Sequence, residues 1–186
     1  MVGPAPELPV TLGANVPKMN NADMQSTGFE LDLGWRDRIK DFDYGVHLLL
    51  SDDRQKILKY PNTTGKINTW YVGKYNGDIW GFETIGIAKS QEEMDAHLAS
   101  LPNGGQDALG VKWGAGDIMY RDLNGDGKIS DGATLNDPGD KKVIGNTSPR
   151  FRFGLDLNAS WKGIDVRLFF QGVAKRDAWL NDNMFW

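Results

Sequence analysis

The densest run of chemistry-bearing side chains lies at Asp122-Leu123-Asn124-Gly125-Asp126-Gly127-Lys128-Ile129. Its D-x-N-x-D-G spacing is the first half of an EF-hand-type calcium loop. A hard cation takes oxygen ligands. The side-chain oxygens of Asp122, Asn124 and Asp126 converge where Gly127 permits a sharp turn, and the Lys128 carbonyl adds a further ligand. The bidentate acid expected at the twelfth position is missing, because Ala133 stands there. Asp131, Asp137 or Asp140 reaches the same point only across a bulged loop. The competing reading is a pair of Asn-Gly and Asp-Gly turns closed by Asx-type side-chain bonds, with no metal. Calcium is the single candidate cofactor.

Other residues carry weaker signals. Trp70, Tyr71, Trp80 and Trp113 present rings that stack on sugars; the alternative is that they pack a loop against neighbouring strands. His47 and His97 have no acid or Ser partner recognisable in the sequence. Asp156 and Asp165 project from neighbouring strands as ordinary polar-face residues. No G-x-S-x-G, H-E-x-x-H or Walker pattern occurs, so an enzyme is not expected. The chain has no cysteine, which excludes a disulfide framework, a thiolate zinc site and a Cys nucleophile. A net charge of −4, with basic residues scattered among acids, argues against nucleic acid as a partner.

The elements that must position these groups are strands. In Phe29-Glu30-Leu31-Asp32-Leu33-Gly34-Trp35 the odd positions are apolar. In Phe42-Asp43-Tyr44-Gly45-Val46-His47-Leu48 the even ones are. A two-residue turn at Lys40-Asp41 sets Ile39 against Phe42, Trp35 against Val46, Leu33 against Leu48 and Leu31 against Leu50, with Arg38 meeting Asp43 on the opposite face. A second hairpin turns at Lys162-Gly163. It pairs Trp161 with Ile164, Ala159 with Val166, Leu157 with Leu168 and Leu155 with Phe170 on one face. Asn158 meets Arg167 on the other, where Phe169 is the only large apolar exception. Gly163 supplies the positive φ that tight hairpins need.

These strands exceed the usual globular length of about 5–6 residues and match the ~9–11 residues that a tilted strand needs to cross a bilayer. Trp35, Phe42, Tyr44 and Trp161 cluster near the tight turns, where an interfacial girdle sits. Between the hairpins runs a connection of about 100 residues, far beyond the ~12–15 usual in compact domains. Short turns at one rim and long loops at the other are the layout of an outer-membrane barrel. The expected fold is therefore all-β: antiparallel up-and-down strands forming part of a large transmembrane β-barrel, with long extracellular loops and one short helix. The expected division is a hairpin at 27–51, a loop region at 52–149, a hairpin at 150–173 and the start of a further loop at 174–186.

Within the loop region, Trp70–Gly73 and Ile79–Thr84 read as extended and Gly116–Tyr120 as a short strand. Ser90-Gln91-Glu92-Glu93 is a capping box opening a helix that runs to Leu98 or Leu101 and stops at Pro102-Asn103-Gly104-Gly105. No run approaches the ~18 apolar residues of a membrane helix. The segment Met1–Pro6 lacks the features of a signal peptide, which fits a chain that begins inside a longer gene product. The alternative architecture is a secreted soluble β-sandwich, a carbohydrate-binding module with a calcium-stabilised loop, in which the apolar strand faces form a core.

Several stretches together resemble the SusC/RagA family of TonB-linked outer-membrane proteins. They are Gly116–Ile129, Lys142-Val143-Ile144-Gly145-Asn146, Ser148–Gly154, Trp161–Val166, Phe169–Val173, Gly28–Leu31, and Ile79–Phe82 leading to Ser90–Glu93. The matches run in family order from about residue 8 to residue 177. The resemblance implies a segment of a plugged barrel of ~22 strands in the outer membrane of Bacteroidetes-type bacteria. It implies import of glycans or peptides, a SusD-like lipoprotein over the barrel, TonB as energy source and outer-membrane lipid around the wall. Aligned on the family's pattern, Asp140 takes the place of the final acid in the D-x-N-G-D-G motif and residues 132–139 become an insertion.

Overall fold

The computed structural model describes residues 19–179. The readings of Met1–Pro6 and of 180–186 fall outside those residues. The described chain forms β1 (Asp23–Ile39), β2 (Phe42–Lys59), β3 (Asp78–Phe82), β4 (Thr84–Ile87), α1 (Gln91–Ala99), β5 (Ile118–Tyr120), β6 (Lys141–Asn146), β7 (Arg150–Trp161) and β8 (Ile164–Lys175). It divides into two units. One consists of a four-stranded antiparallel sheet in the order β1-β2-β7-β8. The other comprises most of the intervening chain, residues 57–74 and 78–145, together with the segment ending at Asp23.

In the sheet unit the hairpin turns fall where alternation puts them. Lys40 (φ 57°) and the pair Lys162 (φ 47°) and Gly163 (φ 85°) adopt the left-handed conformation that two-residue hairpins require. β7 and β8 pair Trp161 with Ile164, Ala159 with Val166, Leu157 with Leu168 and Leu155 with Phe170. In the first hairpin Arg38 lies 3.5 Å from Asp43, and a Cβ added to Gly34 would sit 3.8 Å from the His47 ring. Both contacts agree with the two-residue turn. β2 pairs with β7 from Phe42↔Trp161 to Ser51↔Arg152, so both tight turns lie at the same end of the sheet.

The pairing gathers Leu31, Leu33, Trp35, Val46, Phe153, Leu157, Val166 and Leu168 on one face. Most of these are exposed: Leu33 is 54% accessible, Trp35 63% and Leu168 50%. Among the described residues the buried hydrophobics are Ala22, Ile57, Ile67, Ala88, Met94, Leu101, Met119 and Ile129. All of them belong to the other unit. Among the described residues the sheet unit therefore has no second layer of its own and no sandwich core.

The loop unit has a small core of Ala88, Met94 and Met119, with Leu98 and Trp113 packed against it. Ser90 caps α1 by accepting the Glu93 N–H at 3.3 Å. Glu93 reaches back to the Lys89 N–H at 2.7 Å, one residue before the position a standard capping box would use. Ribbons β3–β6 and β4–β5 complete the unit. Trp70–Gly73 is a turn, contrary to its extended reading. Lys74 N–H donates to Tyr71 O at 3.2 Å and Gly73 adopts φ 96°. β1 and β2 also run beyond the 27–51 hairpin, and the alternation continues through the polar residues Asp52, Arg54 and Lys56.

Candidate functional site

The acidic loop is held from within. Asp122 accepts N–H bonds from Gly125 (2.6 Å) and Gly127 (2.8 Å) through its two oxygens. Asn124 Oδ1 accepts from Asp126 N–H (2.9 Å), and Asp126 Oδ1 from Lys128 N–H (3.1 Å). Gly125 (φ 75°) and Gly127 (φ 80°) take the left-handed turns this winding needs. The chain after α1 braces the loop: Asn103 N–H donates to Gly127 O at 2.8 Å, and Ile129 N–H to Gly105 O at 2.7 Å.

Residues 132–139 bulge out and return. Asp131 pairs with Gly139, and a Cβ on Gly132 would stand 2.3 Å from Gly139 N, so the two limbs touch through bare backbone. The bulge delivers Asp140 to the loop. Asp140 is fully buried and accepts from Leu123 N–H (2.7 Å), Ser130 N–H (2.6 Å) and Ser130 Oγ–H (3.1 Å). One carboxylate oxygen each from Asp122, Asp126 and Asp140 lies within 4.8 Å of the others. Burial opposes ionisation of Asp122. The N–H groups of Gly127, Gly125 and Asp126 outweigh burial and hold the carboxyl below the usual range. Ala133 uses its carbonyl to accept from Ile67 N–H at 3.0 Å.

The aromatic candidates separate into two groups. Trp80 Nε1–H donates to the Tyr71 hydroxyl at 3.2 Å, with the rings edge to face. Lys74 Nζ lies 5.3 Å from the Tyr71 ring centroid and 5.8 Å from that of Trp70. It donates to the carbonyls of Ile67 (3.0 Å) and Thr69 (2.9 Å). Burial lowers the Lys74 pKa and raises that of Tyr71. Trp113 is elsewhere: it packs on the core, stands edge-on to Tyr120 and donates to Gly110 O at 3.1 Å. Trp70, Tyr71 and Trp80 thus share a neighbourhood that Trp113 does not enter.

Both histidines have partners that sequence reading missed. His97 Nε2 lies 3.0 Å from Gln106 Oε1, and the fully buried Gln106 also spans Tyr120 N–H and Ile118 O. His47 Nε2 lies 2.6 Å from Asp32 Oδ1 across the first hairpin. In register terms His47 faces Gly34, so Asp32 is a diagonal neighbour. Testing i, j±2 positions as well as direct pairs would have found it.

No protein-family model matches the chain. The sequence is 30% identical over 178 residues to TonB-dependent receptor P26 of Formosa agariphila and 24% identical over 178 residues to TonB-dependent receptor P3 of the same organism. These alignments cover 89% and 88% of this chain and 16% of each relative. A solved structure of the RagAB peptide transporter shares its fold with a TM-score of 0.52 at 21% identity, over 88% of this chain and 16% of that one. Over most of its length the chain is similar to a segment of TonB-dependent receptors.

The sequence spans about a sixth of the length of its receptor relatives. Within such a receptor the four-stranded sheet is a section of barrel wall, with one apolar face and one polar face. The polar face carries a diagonal of polar, ionisable side chains across all four strands: Asp32 on β1, His47 on β2, Asp156 on β7 and Arg167 on β8. Arg167 Nε binds Asp156 Oδ2 at 2.9 Å, and Asp156 stands opposite His47.

Proposed function

We propose that this chain is part of the wall and extracellular loops of an outer-membrane importer. Its sheet faces lipid on the Leu33–Leu168 side, and a SusD-like lipoprotein partners it above the loops. The uncovered apolar face carries the reading. From Phe42 to Leu50 the band runs eight residues, about 26 Å along the strand and about 20 Å along the membrane normal at a tilt of ~40°. The tight turns take the periplasmic rim and the long connection from β2 to β7 leaves from the extracellular one, as barrels of this class distribute them. TonB coupling would come through the rest of the receptor, and peptides or glycans are the cargo classes. Deleting the receptor gene in frame should abolish uptake of either fluorescent oligopeptides or fluorescent oligosaccharides, and removing TonB should do the same. Unchanged uptake of both would overturn the importer reading. Trp70, Tyr71 and Trp80 are the ring surfaces offered to cargo or lid, while Trp113 packs separately on the loop core.

A calcium ion at the acidic loop is part of the same proposal. Asp122, Asp126 and Asp140 would supply carboxylate oxygens, Asn124 its amide oxygen and Lys128 its carbonyl, and the ion would offset the mutual repulsion of three clustered anions. Titration of the metal-stripped receptor with calcium should show one site of this kind. That site should be lost in Asp126→Asn and in Gly132→Ala, whose added Cβ forces the bulge open. A titration identical in wild type and both variants would reject it.

A further inference from the structure

We propose that the outward face of the sheet carries a binding site for the phosphate-bearing headgroup of an outer-leaflet lipid, formed by Arg54, Lys56 and Tyr75. The inference rests on the barrel-wall reading above. β2 keeps its phase past the apolar band, so Asp52, Arg54 and Lys56 follow Val46, Leu48 and Leu50 on the same side. Gln25 and Thr27 likewise continue the Leu31–Phe29 side of β1. These residues and Tyr75 line a cleft of about 450 Å³ that begins at Phe29, the last apolar side chain on this face of β1.

The cleft is cationic. The Arg54 guanidinium lies 4.0 Å from the Tyr75 ring centroid and the Lys56 ammonium 5.6 Å from it. The ring holds both cations in place without neutralising them. Neither forms a salt bridge among the described residues, and Arg54 is exposed. The one acid in the cleft, Asp52, is already taken by a bidentate pair with Arg150. Two positive charges are thus left facing out.

Height decides which anion this suits. Arg54 lies two residues past Asp52, the position opposite Phe29, about 7 Å along the strand and about 5 Å along the normal at ~40° tilt. That is where the polar layer of the leaflet begins, since headgroups add about 5–8 Å beyond each edge of the hydrocarbon. A lipid whose acyl chains lie on Phe29, Leu31 and Leu50 therefore brings its phosphate to Arg54 and Lys56. A bidentate guanidinium beside a point-charge ammonium is the pairing that phosphate oxygens favour.

The test uses the intact receptor in phosphatidylcholine nanodiscs, with retained monophosphoryl lipid A counted by native mass spectrometry. Wild type should retain it, and a dephosphorylated lipid A should be retained far less. The Arg54→Gln/Lys56→Gln double variant should lose roughly thirtyfold in lipid affinity, the order expected for two cations at a membrane surface. Arg36→Gln, on the opposite strand face, should change nothing. Equal retention by wild type and the double variant overturns the site. Saturation by inorganic phosphate with no lipid requirement overturns the headgroup assignment. A receptor that inserts normally yet shows no phosphate dependence defeats this site alone, whereas a receptor that fails to insert defeats the barrel-wall reading first.

Discussion

The two units of the chain solve opposite problems with similar residues. The loop unit buries its apolar side chains: Met94 is fully inaccessible, and Ile57, Ala88 and Ile129 are nearly so. The sheet unit has longer strands and nearly as many large apolar residues, yet its described residues contain no buried hydrophobic side chain. Water alone does not stabilise such a surface, because contiguous exposed apolar area of this extent marks an interaction face. The loop unit is built for water and the sheet unit for a nonpolar solvent, within one continuous chain.

That contrast can be broken at several points. The largest effect belongs to Leu168→Arg. Leu168 sits in the row Val46–Leu157–Leu168 at mid-band, where a cation costs up to about 4 kcal/mol. Assembly of heat-modifiable barrel in membranes should fall sharply, whereas Asn158→Arg on the polar face should assemble normally. Next comes Met94→Ala, which empties the centre of the loop core and should cost about 3 kcal/mol. Hydrogen exchange should speed up across α1 and β5 while barrel assembly is unaffected. Gln106→Ala should cost about 2 kcal/mol, since it strands the Tyr120 N–H and the Ile118 carbonyl in a buried site. The exchange rate of the Tyr120 amide reports it.

The smallest effect is on pH. Asp122 is held below its ordinary value, so its contribution is present above the usual carboxylate range. It is lost as pH falls through the depressed folded-state value. The amides of Gly125 and Gly127 should keep their protection at mildly acidic pH and lose it only below the range in which a free aspartate titrates.

The sheet was legible because period two leaves little freedom: shifting the pairing by one residue would have turned Leu33 and Val46 to the polar side. The helix was legible from Ser90 and Glu93. Three things were not. Trp70–Gly73 has the aromatic and glycine content of a strand, but Gly73 spends its conformational freedom on a turn. The contact between Gly132 and Gly139 is a backbone-to-backbone approach with no side-chain signature, so the arrival of Asp140 beside Asp122 followed from an aligned motif and not from spacing. The cleft at Arg54 and Lys56 was hidden because β2 looks finished where its apolar residues end, although the even positions stay in phase through Lys56. Of the site residues, the spacing of Asp122, Asn124 and Asp126 marked a real loop. The separation of Trp113 from Trp70, Tyr71 and Trp80 could come only from the fold.

The most direct test is single-cysteine scanning along β8 in a cysteine-free background of the intact receptor in its membrane, to which this chain contributes no cysteine of its own. Ile164, Val166, Leu168 and Phe170 should react with a lipid-soluble maleimide and resist a charged one, while Asp165, Arg167, Phe169 and Gln171 should show the reverse. Uniform reaction with the charged reagent at all eight positions would mean that water or protein covers the Leu168 face, and the account of the sheet as membrane wall would be wrong.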